Sequence, residues 1–267
     1  MEKLIVLGTG NAMVTHYYNT CFALNDGKGT ILVDAGGGNG ILAALQATEV
    51  DFTSIRDVIV THEHSDHLLG IVWIVRKIGT LMLADKYKGD LRFFCHKDIA
   101  DAIKAICGYT LQKKFTRLFG ERMHFVQIKD EAVCRLLDYD VTFFDIKSTK
   151  ARQYGFTMQL HNGRKLTCLG DEPYNPLCES FVVGSDWLLA EAFCLYSDRD
   201  RFKPYEKHHS TVREACELAE QLNIPNLILW HTEDKTYGKR RQLYTEEGRQ
   251  FYRGNLCVPD DREIISL

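Results

Sequence analysis

Three imidazoles and two carboxylates fall within six positions of the segment Thr61-His62-Glu63-His64-Ser65-Asp66-His67. Imidazole nitrogen and carboxylate oxygen are the ligands that zinc and its first-row neighbours prefer. The segment follows the apolar run Val58-Ile59-Val60 and precedes another, Leu68 to Ile78. Several desolvated imidazoles at one strand end repel one another when protonated and each need a partner when neutral, so the cluster is expensive as mere structure. A metal site is the reading that gives these residue types a purpose. On an extended segment His62 and His64, two apart, point the same way and suit one shared ion. Asp66 and His67 come after the strand breaks and can turn toward a second. Glu63 then faces the other side and is structural.

Further groups of the same kind sit at other strand ends. Leu169-Gly170-Asp171 closes an apolar strand with a carboxylate, which alone is more often a turn than a ligand. Leu227-Ile228-Leu229-Trp230-His231 ends a buried strand in one histidine, which alone is more often structural. Leu188-Leu189-Ala190-Glu191 places a carboxylate at another strand end, and His208-His209-Ser210-Thr211 precedes a helix that Thr211 and Glu214 open with a capping box. Basic residues gather at Lys113, Lys114 and Arg117 and at Lys235, Lys239, Arg240 and Arg241. A solvated face is the plain reading of each, and the second gains interest from its nearness to His231.

The elements that must position these groups alternate between short apolar strands and amphipathic helices. Strands are predicted over 4–7, 21–24, 30–33, 58–60 and 91–95, with helices over 40–47, 98–107 and along the Leu68 to Ile78 face, where Asp66 sits favourably at the helix start. Residues 108–121 form a connection with no clear pattern. The second half predicts strands over 126–128, 133–136, 139–145, 155–160, 166–169, 187–191 and 227–230, a hairpin turn at His161-Asn162-Gly163-Arg164, and helices near 176–183 and over 211–222.

A chain of 267 residues with 45% hydrophobic content has ample material for a core, and a single domain over 1–267 is expected because no linker-like stretch interrupts it. The nine cysteines lack the paired spacing of a zinc ribbon or redox motif, so reduced thiols and a cytoplasmic location are expected. The start, Met1 to Leu7, reads as a strand instead of a signal peptide, and no apolar run is long enough for a bilayer. A net charge of −3 gives no global field for nucleic acid.

The H-x-H-x-D-H arrangement of His62, His64, Asp66 and His67 resembles the metallo-β-lactamase superfamily. Glu191 with His208-His209-Ser210-Thr211 resembles the glutamate and His-Ser-Thr element of its ribonuclease Z-like branch, and Gly8-Thr9-Gly10, Asn19 and Asp34-Ala35-Gly36 are similar to that branch's opening pattern. The resemblance runs from Leu4 to His231. It implies an α/β fold, a four-layer αββα sandwich of two mixed sheets with helices on the outer faces. It implies metal ligands at His62, His64, Asp66, His67, Asp171 and His231, with Asp171 bridging two ions. One or two divalent ions are expected, zinc foremost and manganese or iron as alternatives. Asp66, Glu191 and His209 are the implied catalytic residues, His209 being the acid that protonates the leaving oxygen, steered by Glu191.

Three departures stand out. Lys147 occupies the position where the superfamily expects another metal-binding histidine, with His161 the nearest substitute. The segment Tyr154 to Asp171 is a plain hairpin where ribonuclease Z commonly carries a tRNA-gripping arm. Ala190 replaces the histidine that often precedes the glutamate. The expectation is therefore a metal-dependent hydrolase, a phosphodiesterase using a metal-bound hydroxide on a nucleotide or small phosphodiester, with Lys147 and Lys235 as candidate phosphate-binding residues. tRNA is doubted as a partner, no membrane partner is expected, and a homodimer stays open. The alternatives are thioester, lactone or lactam hydrolysis on the same metals, or a binding or regulatory protein that kept the fold and lost turnover.

Overall fold

The structure is a computed structural model and describes residues 2–267. The first half lays down β1 (Lys3–Gly8), β2 (Cys21–Asn25), β3 (Thr30–Val33), β4 (Ile55–Ile59), β5 (Leu91–Cys95) and β6 (Met123–Gln127). The second lays down β7 (Val133–Leu136), β8 (Tyr139–Asp145), β9 (Tyr154–Gln159), β10 (Lys165–Cys168), β11 (Trp187–Glu191), β12 (Asn226–Trp230) and β13 (Asn255–Cys257). The last strand, β14 (Ile264–Ser266), returns to pair antiparallel with β1. The result is two seven-stranded sheets, ordered β14-β1-β2-β3-β4-β5-β6 and β13-β12-β11-β10-β9-β8-β7. Each is mixed: β3 to β6 run parallel, as do β10 to β13, and the remaining pairs are antiparallel.

The αββα sandwich follows from how the strands bury their two faces. In β1, Leu4 and Val6 enter the core between the sheets with Phe22, Phe143, Phe156 and Trp230, while Ile5 and Leu7 enter a second core under the outer helices. A strand covered on both sides reads as a continuous apolar run, which is why these strands are visible in sequence. The helices of the first half are α1 (Gly40–Ala47), α2 (Ser65–Leu68), α3 (Ile71–Leu83), α4 (Lys97–Thr110) and α5 (Lys113–Thr116). In α3, Ile71, Ile74, Val75, Ile78 and Met82 are buried, a helical stripe facing the sheet. In the second half, α6 (Glu179–Val182) and α7 (Arg199–Phe202) are single turns, and α8 (Val212–Gln221) and α9 (Arg240–Gly248) cover the outer face of β11 to β13. Glu214 accepts the Thr211 backbone N–H at 2.8 Å, the expected capping box of α8.

Three features differ from the sequence-based expectation. The apolar face beginning at Leu68 is split between α2 and α3, because Gly70 passes against the Ala35 carbonyl and donates its N–H to Gly36 at 2.8 Å. A Cβ there would meet Ala35 O at 1.8 Å, so only glycine fits. The element near 176–183 is a 3₁₀ turn running into α6. The segment after His231, for which no element was predicted, supplies α9, β13 and β14. Among the described residues no helix is long and apolar enough to cross a membrane.

Candidate metal centre and acid–base pair

The chemistry-bearing residues converge at one end of the sandwich, where strands of both sheets stop. β4 leads through Val60 and Thr61 to His62 and His64, and α2 then turns Asp66 and His67 back toward them. From the other sheet, β10 is followed by Asp171, β11 ends in Glu191 and β12 is followed by His231. His231 has φ 56° and Asp34, which follows β3, has φ 55°, a left-handed backbone that a non-glycine residue holds only when its surroundings fix it.

Asp171 Oδ2 is the centre of the cluster. It lies 3.5 Å from His62 Nε2, 3.6 Å from His67 Nε2 and 3.6 Å from His231 Nε2. His67 Nε2 is also 3.5 Å from Asp66 Oδ2. Two ligands about 2.0–2.1 Å from a tetrahedral ion stand roughly 3.3–3.4 Å apart, so these separations suit donors sharing a metal better than direct hydrogen bonds. Two sets of three donor atoms, His62/His67/Asp171 and Asp66/His67/His231, each lie within 4.8 Å of one another, and all five residues are buried. His67 Nε2 is buried with no hydrogen-bond partner, the mark of an atom awaiting a ligand. The donor set therefore fits a divalent first-row ion. His64 is half-buried beside this cluster, its Nδ1 3.0 Å from His62 Nε2. Burial, then the neighbouring His62, hold its imidazole below the ordinary range, with a smaller push from the Lys150 charge.

Outer partners orient the rings. Asp34 Oδ2 lies 2.8 Å from His67 Nδ1 and accepts Thr61 Oγ1–H at 2.7 Å, while Asp34 Oδ1 accepts the Thr61 N–H at 2.8 Å. With Nδ1–H held by Asp34, the free His67 nitrogen is Nε2, which faces the other donors. Burial works against a charge on His67, but the Asp34 carboxylate and its hydrogen bond, helped by Asp171 and Asp66, push the imidazole up to about 9. Burial likewise opposes the Asp171 charge, yet His62, His231 and His67 hold that carboxyl well below the usual range. Burial keeps His231 well below the ordinary imidazole range against the pull of Asp171, so its ring is neutral, as a ligand must be. Its Nδ1 stands 3.2 Å from Thr20 Oγ1.

The place expected for Lys147 is taken by another residue. Lys147 has φ 61° and turns outward; its ammonium pairs with Asp130 at 2.6 Å and approaches Asp145 at 3.9 Å. The side chain that enters the cluster is Gln153, six residues later and buried. Its amide lies 2.7 Å from His62 Nδ1 and hydrogen-bonds Asp171 Oδ1. Gly170, at φ 83°, makes room for it: a Cβ there would stand 2.7 Å from Gln153 Oε1. His161 is no substitute ligand, since it stacks on Tyr139 and faces Asp26 at the β9–β10 turn. Lys235 extends from the surface, 3.6 Å from Asp234. The basic run around it is not one solvated face: Arg240 is buried, donating to Thr9 and Thr232 hydroxyls at 2.7 and 2.8 Å. Glu63 does face away, its carboxylate 3.3 Å from His96 Nε2.

Glu191 and His209 form a second unit beside the cluster. Glu191 Oε1 accepts the Ser210 N–H, and its Oε2 faces His209 Nδ1 at 3.6 Å. Those two facing atoms are buried with no other partner. Phe193 stacks on the His209 ring, centroids 4.9 Å apart and nearly parallel, and His231 lies 5.2 Å from it. Burial pushes the Glu191 carboxyl up, and His209 and Ser210 offset part of that. The insertion of Gln153 and the orienting role of Asp34 toward His67 are not legible in the sequence. Asp34 is marked by its place at a strand end and in the Asp34-Ala35-Gly36 motif, and Gln153 by nothing local.

The family described as "Anti-Pycsar protein Apyc1" matches residues 2–249. Ribonuclease Z of Thermococcus sibiricus is 24% identical over 315 residues, covering 100% of this chain and 97% of that protein. The metallo-β-lactamase fold protein YhfI from Bacillus subtilis superposes with a TM-score of 0.78 at 16% identity, covering 99% of this chain and 98% of its own. A diphosphatase from the PhnP family superposes with a TM-score of 0.76 at 15% identity, covering 100% and 98%.

Proposed function

Because the chain belongs to the anti-Pycsar protein Apyc1 family and is a metal-dependent hydrolase of the metallo-β-lactamase fold, in its ribonuclease Z-like branch, we propose that it is a phosphodiesterase acting on a nucleotide or other small phosphodiester. The observation that carries this reading is the Glu191–His209 pair beside the cluster. Its two facing atoms, 3.6 Å apart, have no other partner. With Nδ1 turned to Glu191, His209 presents Nε2 toward substrate, where it can deliver a proton to a departing alkoxide. A phosphodiester with an alkoxide leaving group needs that proton.

His62, His64, Asp66, His67, Asp171 and His231 would hold the metal, with Asp171 shared between two positions and held in place by Gln153. Divalent ions bound there supply Lewis acidity to a phosphoryl oxygen and lower the pKa of water toward neutrality. Asp34 keeps His67 in the ligating tautomer. Phe193 holds the His209 ring in plane and keeps one face dry. Glu191 stabilises the imidazolium and orients its Nε2–H; on donation the proton goes to the departing alkoxide and the ring becomes neutral. The tight Leu160–Arg164 turn joining β9 and β10 supports a small substrate over tRNA, since that hairpin carries no arm.

The test is hydrolysis by the metal-loaded protein of bis-p-nitrophenyl phosphate, cyclic nucleotides and a pre-tRNA, beside a thioester and a lactam. Turnover of the phosphodiesters, reduced by His209→Ala, is expected. Efficient thioester or lactam hydrolysis with no phosphodiester turnover would refute the reading in favour of acyl chemistry. Preferred cleavage of pre-tRNA would overturn the small-substrate part.

A further inference from the structure

We propose that Lys150 is the cation that holds the substrate's phosphoryl group, engaging a non-bridging oxygen between the histidine–carboxylate cluster and His209. The inference rests on the phosphodiesterase reading and names the residue that recognises the anion. It arises from the path of the loop after β8. Lys147 turns outward onto Asp130, and three residues later Lys150, on an exposed stretch of backbone, lays its side chain back against the protein, 24% exposed. Its ammonium donates to the Lys207 carbonyl at 3.2 Å and lies 3.4 Å from Glu172 Oε1. Both anchors adjoin the candidate site: Glu172 follows Asp171, and Lys207 stands two residues before His209.

The loop itself is tied to the same two places. Ser148 Oγ donates to Glu172 Oε1 at 2.7 Å and accepts the Lys150 and Ala151 N–H groups at 3.1 and 3.3 Å. Thr149 Oγ1 lies 3.1 Å from His208 Nδ1. Lys147, Thr149, Glu172, Tyr174, Tyr205 and His209 line one groove of about 380 Å³ that passes the acid, and the loop that carries Lys150 forms one of its walls. An ammonium has three donors; the Lys207 carbonyl takes one and the Glu172 carboxylate faces it as an ion pair, so a donor remains for an incoming oxygen. Other basic groups are held by other partners: Lys147 by Asp130, Arg240 within the fold, Arg241 by Asp260 and Glu263, while the Lys207 ammonium lies 4.9 Å over the Phe193 ring. Glu172 holds the Lys150 ammonium in place before substrate arrives, and a phosphodiester oxygen then meets a positioned cation.

The experiment compares wild type, Lys150→Met and Lys150→Arg, each metal-loaded and matched for metal content and melting temperature. Inorganic phosphate binding is measured by calorimetry, and kcat/KM with bis-p-nitrophenyl phosphate and with the uncharged p-nitrophenyl acetate. Losing one charge-assisted hydrogen bond is expected to cost K150M about ten- to hundredfold in phosphate affinity and in kcat/KM for the diester. K150R should recover part of both, and acetate hydrolysis should be unchanged or undetectable in all three proteins. Phosphate binding by K150M equal to wild type, no phosphate binding by wild type, or equal losses on the diester and the uncharged ester would overturn the proposal. If wild type cleaves no phosphodiester yet its phosphate binding depends on Lys150, the functional reading fails and the anion site stands. If wild type cleaves diesters and K150M does so equally well, the reverse holds.

Discussion

Replacing Asp34 by Asn separates the ligand from the residue that orients it. Asn fits the left-handed backbone at φ 55° and keeps nearly the same shape, so the change is confined to charge and hydrogen bonding. The Asn carbonyl can still accept the Thr61 N–H, which Asp34 Oδ1 takes at 2.8 Å. The amide NH₂ then occupies the position of Oδ2, facing Thr61 Oγ1 and His67 Nδ1, at 2.7 and 2.8 Å in the native protein. A donor there requires His67 Nδ1 to accept, which moves the ring proton to Nε2, the atom that must bind metal. Loss of such an outer partner typically costs about 10–100-fold in metal affinity, or roughly 1.4–2.7 kcal/mol. A weaker proton competitor at His67 returns a fraction of that at neutral pH. In the metal-free protein a hydrogen bond to a charged group is worth about 1.5–3 kcal/mol.

The sign of the pH dependence follows from His67, whose imidazole is raised to about 9. A raised pKa stabilises the fold fully below the unfolded value of about 6.5, and the contribution disappears as pH rises through 9. The metal-free stability gap between wild type and Asp34→Asn should therefore be widest below pH 6.5 and narrow steadily toward pH 9. The assay is chelator competition for metal affinity, with denaturant melts of the metal-free proteins across that range. Metal affinity within twofold of wild type, or a gap that widens toward pH 9, would refute the orienting role of Asp34.

Other consequences are quickly checked. His209→Ala should lower turnover of substrates with poor leaving groups by about a hundredfold while leaving metal content unchanged, and the loss should shrink for p-nitrophenolate; equal losses would argue against an acid. Lys147→Met should leave metal stoichiometry and turnover at wild-type values and change stability by less than about 1 kcal/mol, because it removes only a surface pair with Asp130. A change in metal content measured by plasma emission would place Lys147 back at the centre. Gly70→Ala drives a Cβ into the Ala35 carbonyl and should cost about 3 kcal/mol, with metal affinity falling as the Asp34 loop shifts; an unchanged melting temperature would contradict the close approach.

What the sequence disclosed follows the range of the interactions involved. Strands buried on both faces announce themselves as apolar runs, and a ligand placed at the end of such a run, as with Asp171 or His231, needs only local pattern to be noticed. Residues that act across the chain leave no such trace. Asp34 meets a histidine 33 positions away and Gln153 one 91 positions away. Neither separation has a period to detect. Gln153 also looks like any polar residue before a strand, whereas Lys147 stood at a position where the resemblance led one to seek a ligand. The two lysines of Lys147-Ser148-Thr149-Lys150 are alike in type and only three residues apart. Their opposite fates are decided by the left-handed turn at Lys147 and by the Ser148 hydroxyl that gathers the following amides. Arg240 repeats the lesson in a basic run that reads as surface: Thr9, Thr232 and the Pro259 carbonyl draw one guanidinium inside, and α9 is pinned to both sheets through it. Local pattern thus located the ends of the strands, while backbone handedness at single residues determined which side chains reach the centre they surround.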